Sequence, residues 1–302
     1  MKHVLRSLAV LAIAVGANAQ VVIKLNNSFI DEFKNRATIT ATYSVVKSHH
    51  KPNPPSKDGD THSAGTAPEI GLAAVAEIMN AKEQKAALNA ILAVEGSSTE
   101  TVTITGAWRL WPEHAGGKDQ VQGASIPPFN TTNPDHVFQV HPIITVNDID
   151  VRKSLHPIVG FTPKDAEKAF LQYENMRCKI IPGGTQTTLM TNMAGFNYVK
   201  FLMRLNEDPA PLSGADGTRV MATVNTLDDE LLVRNRRMIF LKDTPPDKAV
   251  RKLHKGDSLT VLGIPRIDLA LVAFRTAHAT DQPEVLDWNL PYEIIVVGVF
   301  SK

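Results

Sequence analysis

Residues 101–110 read TVTITGAWRL and residues 258–267 read SLTVLGIPRI. Ser or Thr, an apolar residue, Thr, a β-branched residue, Gly two places on, then Arg and an aliphatic residue recur in step. Each stretch follows a short helical segment, at about 82–94 and 247–253, and each precedes a late strand, 137–146 and 292–300. A shared position in a shared order of elements makes internal duplication the reading of this echo.

Upstream of each helix lie three strand-like runs. In the first copy Ile39, Ala41, Tyr43 and Val45 alternate with polar residues, the period of a half-buried strand. A proline-rich turn, a weaker strand through Asp60 and a run at 72–79 follow. In the second copy Val199, Phe201, Met203 and Leu205 alternate, with further strands at 219–226 and 237–241. The first helix has Asn80 as its candidate N-cap with Glu83 three residues on. Between the copies a helix is expected, with Thr162 as N-cap, Pro163 at the first position and Asp165 as cap partner. Ala166, Ala169, Phe170, Tyr173 and Met176 would line its packed face.

Three strands, a helix and two strands is the element order of a five-stranded Greek-key barrel, and the turn from Lys255 to Gly263 resembles the entry to the fourth strand of many OB-folds. The fold expected is therefore mainly β: two tandem OB-like five-stranded Greek-key barrels joined by an amphipathic helix. The boundaries expected are 1–19 for a signal peptide, 20–35 for an N-terminal segment, 36–147 and 185–302 for the barrels, and 148–184 for the connector.

Lys2, His3 and Arg6, an apolar run at 8–15 and Ala17-Asn18-Ala19 have the layout of a secretory signal, which predicts an exported bacterial protein, periplasmic or extracellular, starting at Gln20. No later segment approaches about 18 uninterrupted apolar residues, so no transmembrane anchor is expected. The single cysteine, Cys178, permits no internal disulfide, leaving stability to packed cores. Removing Lys2 and Arg6 from the 32 basic residues leaves 30 against 31 acidic ones. Near-neutrality argues against a nucleic-acid partner, since such proteins carry a basic surplus. The run from Arg234 to Lys255 is basic, but acids interleave with it, the pattern of a solvated face.

Chemistry, if present, is expected in the first module, which holds His49, His50, His62, His114, His136 and His141. An extended chain places Asp58, Asp60 and His62 on one side. Glu77 lies on the next strand, and His114 and His141 flank or occupy the last two. Asp60, His62 and His141 are the candidate metal ligands, because imidazole with carboxylate suits zinc or manganese. Asp58, Glu77, His114 and Trp111, the last read as pointing outward for stacking, complete the candidate ligand surface. The bland alternative is turn chemistry for Asp58-Gly59-Asp60 and solvated loop positions for His49, His50 and His136.

The string from Asp58 to Thr61 resembles the calcium-binding turn of staphylococcal-type nucleases, which also use an OB barrel. Only those four residues match, and no arginine follows the third strand to clamp a phosphate. Residues 36–147 are more similar to a group of exported bacterial proteins combining a DGDxH stretch, a later Val-Thr-Gly strand and a closing His-Pro. Here those are Asp58 to His62, Ile104 to Gly106 and His141-Pro142. That resemblance implies an architecture and no reaction. P-loop, GxGxxG and GxSxG patterns are absent. The leading expectation is an exported binding or structural protein for an unknown small molecule or polymer. A metal-dependent hydrolase is the alternative, and single-stranded nucleic acid or anionic-polymer binding the weakest reading.

Overall fold

The computed structural model describes residues 20–278 and 286–300; the signal-peptide expectation lies outside them. The first half contains β1 (Gln20–Asn26), α1 (Asn27–Phe33), β2 (Thr38–Ser48), β3 (Thr61–Thr66), β4 (Ala73–Ile78), α2 (Lys85–Ala93), β5 (Val102–His114), β6 (Gln120–Val121), β7 (His136–Val146) and β8 (Ile149–Asp150). Hydrogen bonding closes a ring in the order β2-β3-β4-β7-β5-β2, antiparallel throughout except β4 with β7. Ile39, Ala41, Tyr43 and Val45 bury into the barrel core as their alternation requires.

After the first barrel come α3 (Ala166–Asn175), β9 (Arg177–Ile181), β10 (Gln186–Asn192), β11 (Val199–Leu205), β12 (Ala210–Pro211), β13 (Gly217–Asn225), β14 (Leu231–Leu241), α4 (Pro245–Val250), β15 (Ser258–Ile267), α5 (Leu269–Ala277), β16 (Leu286–Asn289) and β17 (Tyr292–Val299). The ring β11-β13-β14-β17-β15-β11 repeats the first, again with one parallel pair, β14 with β17. Both barrels thus have the OB strand connection, with a helix between the third and fourth strands.

The sequence echo is a structural one at the level of single residues. Across β5 and β7, Arg109 faces Gln139; across β15 and β17, Arg266 faces Glu293. Gly106 and Gly263 sit at register irregularities in their strands. A Cβ at Gly106 would stand 2.5 Å from the Pro142 carbonyl oxygen, so a tight bend needs glycine there. The fourth strands pack against each other and their arginines are exchanged. Arg109 Nε donates to the Pro265 carbonyl at 2.9 Å, and Arg266 Nη1 donates to the Trp108 carbonyl at 2.9 Å. Trp108 and Pro265 hold the same place in the two repeats, so the seam has local two-fold character. Arg266 also lies 3.5 Å over the Trp108 ring, and both arginines are fully buried.

Several expectations need correction. A third sheet, β16-β9-β10-β1-β6, joins the N-terminal segment, a long loop of the first barrel, the connector and a C-terminal strand. Its strands are short, and apart from the β9–β10 pair their partners are distant in sequence. Helix α5 also went unread. Asn80 does not cap α2: it adopts φ 47°, and its side chain donates to the carbonyls of Ser154 and His156. Helix α3 begins later than expected, with Asp165 itself the N-cap, accepting from Lys168 N. Trp111 does not point out; it is buried and meets Tyr173 of α3 edge-on at 5.4 Å. His136 is not a solvated loop residue but is buried at the start of β7. No helix among the described residues is long and apolar enough to cross a membrane.

Candidate metal centre

Register builds the site. His62 on β3 faces Glu77 on β4. The parallel pairing of Val75 with Gln139 puts Glu77 beside His141 two residues on. The alternate residues Ala74, Ala76, Phe138 and Val140 fill the barrel core, so Glu77, Gln139 and His141 lie on its outer face. They are nevertheless buried, because the chain at 194–198 crosses over them.

That crossing strap is held in an unusual shape. Phe196 and Tyr198 have φ of 65° and 55°, a region that costs a bulky residue about 1–3 kcal/mol. Its restraints are the Ala194 amide on the Pro112 carbonyl, the Gly195 amide on Gln172 Oε1, and the Tyr173 hydroxyl on the Phe196 carbonyl. The strap delivers Asn197 and Tyr198 to the barrel.

Asp60, Glu77 and His141 form the centre: each offers a ligand atom, and these atoms lie within 4.8 Å of one another. The Tyr198 hydroxyl donates a short hydrogen bond to Asp60 Oδ2 and lies 2.7 Å from His141 Nε2. His141 Nδ1 stands 3.3 Å from Glu77 Oε2 but is too poorly aligned for a hydrogen bond, and Asp60 Oδ1 also lacks a partner. His62 Nε2 is 3.5 Å from the same Glu77 oxygen, and its ring stacks on His49 at 5.0 Å. The other Glu77 oxygen accepts from Gln139 Nε2 at 2.7 Å. Gln139 Oε1 accepts from Arg109, whose other terminal nitrogen reaches Asn197 Oδ1 and Glu113.

Burial governs the protonation of these groups. It raises the Asp60 carboxyl well above the ordinary carboxylate range, against the opposing Tyr198 hydrogen bond. It lowers His141 to about 4 despite the nearby Glu77 carboxylate, and raises the Tyr198 hydroxyl, an effect that Asp60 reinforces. His114 is also lowered by burial, and its ring stacks on His136 at 5.2 Å.

The centre forms one wall of a cleft of about 440 Å³. Asp58, His62, Glu77, His114 and His141 line it, and Asp60 lies beneath, so the fold gathers every sequence-named candidate except Trp111. Lys57, Lys164 and Glu113 also line the cleft. Sequence reasoning missed Arg109, Gln139, Asn197 and Tyr198. Gln139 was legible as the residue two before His141 on the same strand face; nothing local marked the strap residues.

The second barrel shows the same place without the chemistry. Ile239 pairs with Ile295 where Glu77 and His141 stand in the first barrel, and both isoleucines are fully buried. Cys178 is buried in the third sheet and its thiol is pushed up to about 12, so it offers no nucleophile.

No family model and no curated protein matches the chain. Among solved structures it is similar to a deletion mutant of the single-stranded DNA binding protein from Thermus aquaticus, at 11% identity and TM-score 0.23, covering 89% of this chain and 94% of that one. It is also similar to a murine DNA binding protein bound with double-stranded DNA, at 9% identity and TM-score 0.19, covering 86% and 98%. A third, described as structural mimicry for functional antagonism, has 10% identity and TM-score 0.21, covering 88% and 94%. Two of the three are described as DNA-binding proteins, and the expectation of no nucleic-acid partner is withdrawn. Overlaps of this size carry no argument about what this chain itself binds.

Proposed function

We propose that this is an exported protein that binds a small polar ligand in the first-barrel cleft through a divalent cation, zinc or manganese. Asp60, Glu77 and His141 would hold the cation, with His62 completing the set from the cleft side. The observation that carries this reading is the pair of partnerless polar atoms, Asp60 Oδ1 and His141 Nδ1, on side chains 0% and 1% exposed within one ring of donors. Each buried polar atom without a partner costs about 1–3 kcal/mol, and a bound cation removes that cost. Tetrahedral bonds of about 2.0–2.2 Å to nitrogen and oxygen need ligand atoms roughly 3.3–3.6 Å apart, and the three residues offer atoms within 4.8 Å of one another. The isoleucine pair in the second barrel supports the reading from the other side: the fold does not require polar residues at this place.

A metal-dependent hydrolase is the second reading, favoured by the partly exposed imidazoles of His62 and His114 on the same cleft. A cation there would polarise a bound carbonyl or phosphoryl oxygen, and either imidazole could then move a proton. Export rests on the pattern of residues 2–19, and mass spectrometry of secreted protein beginning at Gln20 would support it.

The test of the metal reading uses protein purified without a histidine tag. One zinc or manganese per chain, lost in the His62→Ala/His141→Ala double variant, is expected. No uptake at any metal concentration, with melting unchanged by added zinc or manganese, overturns it. Turnover of ester or phosphoester substrates that vanishes with chelation would select the hydrolase.

A further inference from the structure

We infer that Gln139 and Arg109 are positioning residues for the metal centre, and that the second barrel takes part in the site through the Pro265 carbonyl. The inference rests on the metal reading above. Gln139 is 4% exposed and its amide has one available orientation. Its oxygen accepts from Arg109, and its nitrogen donates to Glu77 Oε1 at 2.7 Å and lies 3.3 Å from His136 Nε2. His136 Nδ1 lies 2.7 Å from the Pro134 carbonyl and must donate to it, which leaves Nε2 as an acceptor. Turning the amide over would set a donor against the guanidinium and an acceptor against both Glu77 and His136.

The chain of constraint therefore runs from the second barrel to the centre. Pro265 fixes Arg109, Arg109 fixes the Gln139 oxygen, and the Gln139 nitrogen fixes one oxygen of Glu77. The other Glu77 oxygen is left facing His62 and His141.

The second barrel supplies the internal comparison. Glu293, in the place of Gln139, accepts from Arg266 Nε at 2.6 Å and lies 3.3 Å from Arg237 Nε. A carboxylate suits that place, because the group two residues on is Ile295 and its neighbour Ile239 asks for no donor. In the first barrel the same position must accept from an arginine and donate to a carboxylate, and an amide does both.

Zinc and manganese affinities of the full chain, measured by competition with a chromophoric chelator well below each melting temperature, test this. Gln139→Leu keeps the volume and removes both hydrogen bonds. Gln139→Asn keeps the amide but is too short to span Arg109 and Glu77, and it decides the matter if the leucine variant does not fold. Both are expected to weaken metal binding by about 10–100-fold. Glu293→Gln, at the equivalent place, is expected to lower the melting temperature while leaving the metal dissociation constant within about twofold. Folded Gln139 variants with wild-type affinity, or an equal loss in Glu293→Gln, overturn the inference while leaving the metal reading intact. A wild-type chain that takes up no metal overturns both.

Discussion

Replacing Glu77 and His141 together by isoleucine should make the metal-free protein more stable. The substitution copies Ile239 and Ile295, which the second barrel already accommodates in the same strand pairing. Two opposing effects set the size. The change removes a buried carboxylate and the partnerless His141 Nδ1, and it adds two apolar side chains to the buried wall of the cleft. Exchange of buried ionic groups for apolar ones of similar volume is worth about 1–4 kcal/mol. Against this, Gln139 Nε2 loses its bond to Glu77 and the Tyr198 oxygen its contact with His141 Nε2, at a combined cost of about 1–2 kcal/mol once the Gln139 contact with His136 and the Tyr198 bond to Asp60 are kept. Taking the middle of each range, the net expectation is a gain of about 1 kcal/mol. For a chain of this size that is a rise of roughly 2 °C in melting temperature. Calorimetry at neutral pH with excess chelator is the assay, since a bound metal would stabilise the wild type alone. A fall in melting temperature would refute the reasoning: the polar pair would then be a structural network, and its difference from the isoleucine pair would say nothing about function.

Three further expectations concern the surrounding fold. His136 is held neutral by burial, with a pKa of about 3 against an ordinary 6.5, so the unfolded chain binds the extra proton between those values. Its contribution is complete above pH 6.5 and is lost as pH falls towards 3, by up to about 5 kcal/mol; a His136→Gln variant with an unchanged slope of stability against pH in that window would contradict this. Gly106→Ala should cost about 1–3 kcal/mol in chemical denaturation, because the new Cβ meets the Pro142 carbonyl and Ile143 backbone, whereas Gly117→Ala, with open space around it, should be near neutral. Cys178 should react with a thiol reagent only on unfolding, and rapid labelling of the native protein would show the third sheet to be open.

How far the sequence reached depended on the range of the interaction. The barrels were legible because Ile39 to Val45 and Val199 to Leu205 alternate, and because TVTITGAWRL and SLTVLGIPRI mark the same bend. Asp60, His62, Glu77 and His141 were legible because barrel closure brings strands three and five together, which follows from the topology. Tyr198 and Asn197 were not, since their role depends on a strap whose backbone conformation is set by contacts with Pro112, Gln172 and Tyr173. The outward reading of Trp111 failed for a related reason: strand alternation gives the side of the sheet but not what covers it, and α3 does. Nothing local marked the role of Arg109, because the surface it meets is the other repeat.

The five-stranded sheet that includes β1 has a consequence for how the chain matures. β1 lies between β6 and β10, while β16 seals the far side of β9. The chain must be present through β16 before this layer can close, and the strap that finishes the cleft leads directly out of β10. Emerging half-molecules would hold an incomplete cleft and an open hydrogen-bonding edge. A chain halted before β16 would leave that edge of β9 without its partner.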